Sequence, residues 1–179
     1  MQLLPHPDTG ITPVTRLDAS VSRAPDAGLV IQWELAADLE ALRLPASGAG
    51  RRADGLWKHS CFEAFIGGPG LDPYLELNVA PSGDWAAYRF DAYRQGMTPQ
   101  ALVAPPGIHC TRGPRALAVS ARLPPLAATA GALRIALCAV IETQSGTISY
   151  WALRHPPGAP DFHHAAARVL ELAPALPAV

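Results

Sequence analysis

Glu63 and Glu76 are the residues of this chain best placed to do chemistry. Both stand in short apolar runs, Cys61-Phe62-Glu63-Ala64-Phe65-Ile66 and Tyr74-Leu75-Glu76-Leu77-Asn78-Val79. On a strand, alternate side chains share a face. Glu63 therefore lies with Cys61 and Phe65, while Tyr74, Glu76 and Asn78 lie opposite Leu75, Leu77 and Val79. In the following run, Trp85, Ala87, Arg89 and Asp91 alternate with Tyr88 and Phe90. If these strands are neighbours, one sheet face collects Glu63, Glu76, Asn78 and Arg89, ringed by Trp57, Tyr74 and Trp85. Carboxylates and amides form paired hydrogen bonds with sugar hydroxyls, Arg offers a fork of donors, and flat rings stack on apolar sugar faces. The plainer alternative is a solvated face on which Arg89 pairs with a glutamate across strands. Glu63 weighs against it, because a carboxylate among Cys61, Phe62 and Phe65 needs a partner or a ligand.

A second cluster, His155, Asp161, His163 and His164, falls in a stretch rich in Pro and Gly. Adjacent histidines diverge on a strand, and the set lacks the i, i+4 spacing of a helical zinc site. The spacing predicts a rigid loop in which Asp161 and a histidine cap exposed backbone groups, with no metal. Paired carboxylates about 5–10 Å apart also serve glycoside hydrolysis. An enzyme of sugar or cell-wall metabolism, using Glu63 and Glu76 or the 155–164 loop, is thus the alternative to a non-catalytic binding module. Cys61 and His59 share a parity, but a thiol in an apolar strand without an oxyanion element reads as core. No cofactor is predicted. Haem would need an axial pair, with Met97 the only internal methionine, and haem or a structural metal ion is left open. A protein-docking face would expose an apolar patch around Trp85 and Tyr88. Phosphate-loop, serine-triad and dinucleotide fingerprints are absent from the sequence.

The elements that must position these residues read as strands throughout. Runs with a period of two, punctuated by Gly or Pro, predict strands over 14–21, 28–35, 57–66, 73–80, 85–93, 116–123, 132–143, 147–154 and 168–172. Residues 38–44 have helical spacing for one or two turns. Ala80-Pro81-Ser82-Gly83 predicts a hairpin, since Pro presets φ and Gly accepts the turn's end. Residues 98–114 read as a long connection with a short edge strand near 101–104. Eight or more strands with little helix predict a two-sheet antiparallel β-sandwich of jelly-roll or immunoglobulin-like type. The 179 residues fit a single domain spanning 1–179.

Composition narrows the partners. The formal net charge is −1, with both signs interspersed and no basic stripe, so nucleic acid is not an expected partner. No apolar run reaches the roughly 18–20 residues that span a bilayer, and no membrane partner is expected. The first eight residues, Met-Gln-Leu-Leu-Pro-His-Pro-Asp, have neither the basic start nor the apolar run of a signal peptide. Cys61, Cys110 and Cys138 lack metal-type spacing, and two of them sit in apolar strand patterns, as expected of free thiols in a reducing compartment. The expected location is the cytoplasm, the expected ligand a carbohydrate-like small molecule.

The run from Trp57 through Glu63 to Ile66, followed by Tyr74-Leu-Glu-Leu-Asn-Val-Ala-Pro-Ser-Gly-Asp-Trp85, resembles the bacterial DOMON-like group related to carbohydrate-binding module family 9. The stretch from Tyr150 to His164 is similar to a hallmark of that bacterial subgroup. The similarity covers most of the chain from about residue 30 onward. It implies a β-sandwich with a sugar held between two tryptophans. Trp57 and Glu63 match a pattern of Trp followed six positions later by a ligand-binding Glu, and Trp151 is the expected second stacking ring. Glu76, Asn78 and Arg89 lie on the equivalent strands. The wider superfamily includes both sugar and haem binders, and no counterpart of the family's structural calcium ligands is evident.

Overall fold

A computed structural model of the chain describes residues 1–70 and 72–175. Its strands are β1 (Leu4–Pro5), β2 (Val14–Arg23), β3 (Leu29–Ala37), β4 (Cys61–Gly67), β5 (Tyr74–Val79) and β6 (Trp85–Phe90). They continue with β7 (Thr98–Pro99), β8 (Gly107–Arg112), β9 (Ala116–Leu123), β10 (Leu133–Glu142), β11 (Ile148–Ala152) and β12 (Leu170–Leu172). Among the described residues the only helical pieces are single 3-10 turns, so no helix is long and apolar enough to cross a membrane.

Two antiparallel sheets face one another, as the alternating patterns predict. The larger runs β1-β11-β10-β4-β5-β6-β7, with β12 also paired to β10, and the smaller runs β2-β3-β9-β8. In the smaller sheet one face is dry and the other wet. Leu29, Ile31, Trp33, Leu35 and Ala37 of β3 point inward beside Leu117, Val119, Ala121 and Leu123 of β9. They meet Phe62, Ala64, Ile66, Leu75, Leu77 and Val79 of the larger sheet, with the Trp33 and Phe62 rings 5.8 Å apart. Each fully buried Val, Leu, Ile or Phe among them contributes about 1.5–3 kcal/mol of transfer free energy.

The larger sheet departs from this dry/wet alternation. Neither β4 nor β5 has an exposed residue. Its outer face carries a second apolar cluster that includes Phe65, Tyr74, Tyr88, Phe90, Cys138 and Val140, and Phe162 and Ala167 from the loop between β11 and β12 pack onto it. A 3-10 turn over Leu56–Lys58 covers another part.

Local chemistry explains the connections. The β5–β6 hairpin closes with the Gly83 N–H donating to Ala80 O at 2.9 Å, and Gly83 takes φ 91°, a conformation natural to glycine. The helical turn expected at 38–44 is the 3-10 turn Leu39–Ala41, capped by Asp38, which accepts from the Glu40 N–H. Two expectations fail. Trp57 is not on a strand: Gly55 in the left-handed region (φ 77°) starts the 3-10 turn that carries it, and β4 begins only at Cys61. Residues 101–104 form no strand, while 107–112 pair with β9. At the sheet edge β8 packs only Ile108 and Cys110 against the core, too short a signal to stand out between Pro105-Pro106 and Gly113-Pro114.

Candidate functional site

Strand register brings the carboxyls together. Glu63 stands opposite Asn78 on β5 and Cys138 on β10, and Glu76 stands opposite Phe65 on β4 and Tyr88 on β6. Directly opposed residues share a face, so Glu63, Glu76 and Asn78 lie together on the outer face, with relative exposures of 3%, 5% and 0%. Asn78 Nδ2 donates to Glu76 Oε1 at 2.7 Å, and the Cys61 thiol lies 3.7 Å from Asn78 Oδ1. Glu63 Oε1 is buried with no hydrogen-bond partner. Burial, and then the neighbouring Glu76 charge, push the Glu63 carboxyl well above the usual glutamate range. Burial also raises Glu76, against the lowering effect of the Asn78 hydrogen bond.

These carboxyls form the floor of a cavity of about 380 Å³. Its walls include Trp57, Phe90, Tyr150 and Phe162, and Arg94 and His163 also line it. Trp57 is half-buried and edge-on to Tyr88, with centroids 5.8 Å apart, which leaves ring surface toward the cavity. Tyr74 links floor to wall. It stacks on Phe90 at 5.0 Å, its Oη accepts from the Arg94 N–H at 3.1 Å, and it meets His163 Nδ1 at 2.9 Å. Burial first, then the Arg94 charge, lower His163 to a pKa of about 4, so its ring is neutral at pH 7. With the Tyr74 O–H donating to Nδ1, the imidazole proton sits on Nε2, 3.8 Å from Glu76 Oε2.

Asp161 fixes the cover. It accepts from Tyr93 Oη at 2.6 Å, from Arg94 Nη2 at 2.8 Å and from the His163 N–H at 3.2 Å. One carboxylate thus ties the loop after β11 to the turn after β6. Arg94 holds φ 54° in that turn, a left-handed conformation that costs a non-glycine residue about 1–3 kcal/mol and is sustained by its surroundings.

Of the residues singled out in sequence, Trp57, Glu63, Glu76 and His163 line this one cavity, and Asn78 supports its floor. Three others on the strands are elsewhere. Arg89 stands opposite Leu75, hence on the other face, and its Nη1 donates to Asp91 Oδ1 at 2.7 Å. Trp85, opposite Val79, lies on that same face and is buried in the sandwich core, while Arg89 stays exposed at its margin. The shift is one of register: Tyr74, Glu76 and Asn78 pair with Phe90, Tyr88 and Ala86, which puts the even-numbered residues of β6 outward. Trp151 stands opposite Ala139 in the core, its indole N–H on Ser149 Oγ at 3.0 Å. Its neighbour Tyr150 reaches the cavity instead.

The 155–164 loop is not one site. His155 lies 2.9 Å from Leu4 O, and His164 caps the 3-10 turn Ala165–Ala167 by accepting from the Ala166 N–H. The expected capping roles of Asp161 and a histidine are present, while of His155, Asp161, His163 and His164 only His163 lines the cavity. His59 contacts Glu142 Oε2 at 2.7 Å, so it is no base for Cys61. Trp85 and Tyr88 are both buried, which removes the expected exposed docking patch. Sequence reasoning missed Arg94, Tyr150 and Phe162. Arg94 and Phe162 lie outside regular strands, where alternation carries no signal, and Tyr150 was hidden by the choice of its neighbour.

Met97 and His163 both border the cavity, as a haem axial pair would need. The residues do not fit that group. The floor presents buried carboxyls to what would be an apolar macrocycle face, and His163 directs Nδ1 at Tyr74 and Nε2 toward Glu76. Among the described residues no group of three or more His, Cys, Asp or Glu is arranged to hold a metal ion.

No family model and no curated protein matches the sequence. Solved structures do match the fold. A candidate carbohydrate-binding protein from Bacteroides uniformis superposes with a TM-score of 0.63 at 14% identity, over 88% of this chain and 77% of that one. A carbohydrate-binding module of family 9 from Caldicellulosiruptor kristjanssonii, in complex with cellotriose, superposes at 0.55 with 12% identity, over 97% and 81%. Its glucose complex gives 0.52 at 12% identity, over 92% and 78%. The likeness is one of fold. It relates this sandwich to the architecture of family 9 modules.

Proposed function

We propose that this chain is a non-catalytic saccharide-binding module of the DOMON-like kind, whose ligand enters the cavity over Glu63 and Glu76. One observation carries the reading: a buried carboxyl oxygen, Glu63 Oε1, has no partner at the floor of a cavity walled by aromatic rings. Leaving such a group unsatisfied costs about 1–3 kcal/mol, and a ligand hydroxyl would recover it. Trp57 supplies a flat face for a sugar ring, and Arg94 brings a charged donor group to the rim. Fold neighbours solved in complex with glucose and with cellotriose support the choice of ligand class. In this reading the whole chain acts as one binding unit. We take its compartment to be the cytoplasm, in keeping with three free cysteines, two of them buried.

Calorimetric titration with glucose and cellotriose tests the proposal. Saturable binding is expected, weakened at least tenfold by Trp57→Ala and by Glu63→Gln. Absence of binding, or binding indifferent to both substitutions, overturns it. Cellotriose recovered intact after long incubation separates binding from hydrolysis by the two glutamates.

A further inference from the structure

The hydrogen-bond inventory of the cavity is unbalanced. Its floor holds two carboxyls on adjacent strands, Glu63 and Glu76, and among the described residues Asn78 is the one side-chain donor hydrogen-bonded to either. Asn78 Nδ2 is spent on Glu76 Oε1, and Arg94 Nη2 on Asp161 Oδ1. The Arg94 guanidinium is shared with Asp161, and its charge only partly offsets the effect of burial on Glu76. The neutral His163 ring faces Glu76 at 3.8 Å, too far for a hydrogen bond. Glu63 Oε1 remains buried without any donor. A sugar hydroxyl brings a single neutral donor to these oxygens. An ammonium brings three donors, no acceptor and a positive charge.

We infer that the preferred ligand is an amino sugar, its ring against Trp57 and its free ammonium on the Glu63–Glu76 floor. The inference rests on the saccharide reading and sharpens it to a charge class. Burial and the Glu76 charge both favour the protonated form of Glu63 in the empty cavity, so taking up an ammonium there is expected to release a proton to buffer. A neutral sugar leaves that proton in place. The Cys61 and Cys138 thiols beside the floor stay protonated, since burial pushes both well up.

Titrations of the full chain at pH 7 with glucose, glucosamine, 6-amino-6-deoxyglucose and N-acetylglucosamine test the idea. Two amine positions are included because the inference fixes the floor and not the carbon that meets it. At least one amino sugar is expected to bind roughly tenfold more tightly than glucose, as charge-assisted hydrogen bonds exceed neutral ones. Capping the amine in N-acetylglucosamine should abolish any gain seen with glucosamine. The apparent enthalpy for the preferred amino sugar should differ between phosphate and Tris, by the ionisation heat of about one proton, and that for glucose should not. Glu63→Gln should bring the amino-sugar-to-glucose affinity ratio close to one. The buffer comparison needs no variant and stands if Glu63→Gln fails to fold. Glucose binding as tightly as both amino sugars, or amino-sugar binding without proton release, overturns the inference and leaves the saccharide reading standing. If none of the four binds, both fall.

Discussion

Along β4, Phe62, Ala64 and Ile66 point into the sandwich while Cys61, Glu63 and Phe65 point out of it, and none of the six is exposed. The inner three are closed over by another sheet, whose regular side-chain rows interdigitate with theirs at close-packed density. The outer three are closed over by loops and turns, chiefly residues 156–167, the turn at Leu56–Lys58 and the turn around Arg94. An irregular cover does not fill the space above the sheet, and the gap it leaves is the cavity. Burial therefore has two meanings in one strand. Facing a sheet it marks core, and facing loops it leaves room for polar groups whose partner is absent from the protein.

Truncation on the two sides should break or uphold that comparison most visibly. Phe62→Ala removes a ring wedged against Trp33 and should cost about 3–5 kcal/mol in urea unfolding. Phe65→Ala removes a ring that already borders open volume and should cost roughly 2 kcal/mol. Equal losses would mean that the loop cover packs as tightly as the sheet does.

The next effect in size has the opposite sign. Glu63→Met replaces an unpartnered buried carboxyl by an apolar chain of similar length, and should stabilise the protein by about 1–3 kcal/mol at pH 7 while abolishing saccharide binding. The pH profile sharpens this. Between the ordinary glutamate pKa and the raised folded value, the folded state keeps a proton that the unfolded chain has lost, so stability falls as pH rises. Glu63→Met should make that decline shallower. His163 works the other way. Its folded pKa of about 4 lies below its ordinary 6.5, so its contribution is lost as pH falls through that window. His163→Gln should flatten the acid limb, as read by urea midpoints from pH 4 to 8. An unchanged alkaline decline in Glu63→Met would refute the account of Glu63 as a strained floor.

The contrast between faces also explains what the sequence made legible. Alternation in β3, β9 and β5 reflects direct contact with a single core, and it gave both the sandwich and the side on which Glu63, Glu76 and Asn78 lie. Glu63 was conspicuous because its surroundings were too apolar for a solvated face. Register between strands was not legible in the same way. A shift of one residue exchanges the two faces of a strand, and β6 has large apolar residues of both parities, Trp85 on one face and Tyr88 and Phe90 on the other. The same ambiguity in Tyr150-Trp151 sent the wrong ring to the site. Arg94 and Phe162 follow no periodicity at all. They are held by long-range contacts, such as that of Arg94 with Asp161, 67 positions away.

Arg89 gives the smallest expected effect and the cleanest check on that register. Read as an outward residue it would hold a ligand or pair with Glu63 or Glu76, and its loss would be costly. In the observed register it stands opposite Leu75 at the sheet margin, half-exposed, with its guanidinium on the exposed Asp91 carboxylate. Exposed pairs of this kind contribute about 0–1 kcal/mol. Arg89→Ala should therefore shift unfolding by no more than about 0.5 kcal/mol and leave saccharide affinity within twofold of the parent. A tenfold loss of affinity would return Arg89 to the Glu63 face, and with it move every side chain of β6 to the opposite side of the sheet.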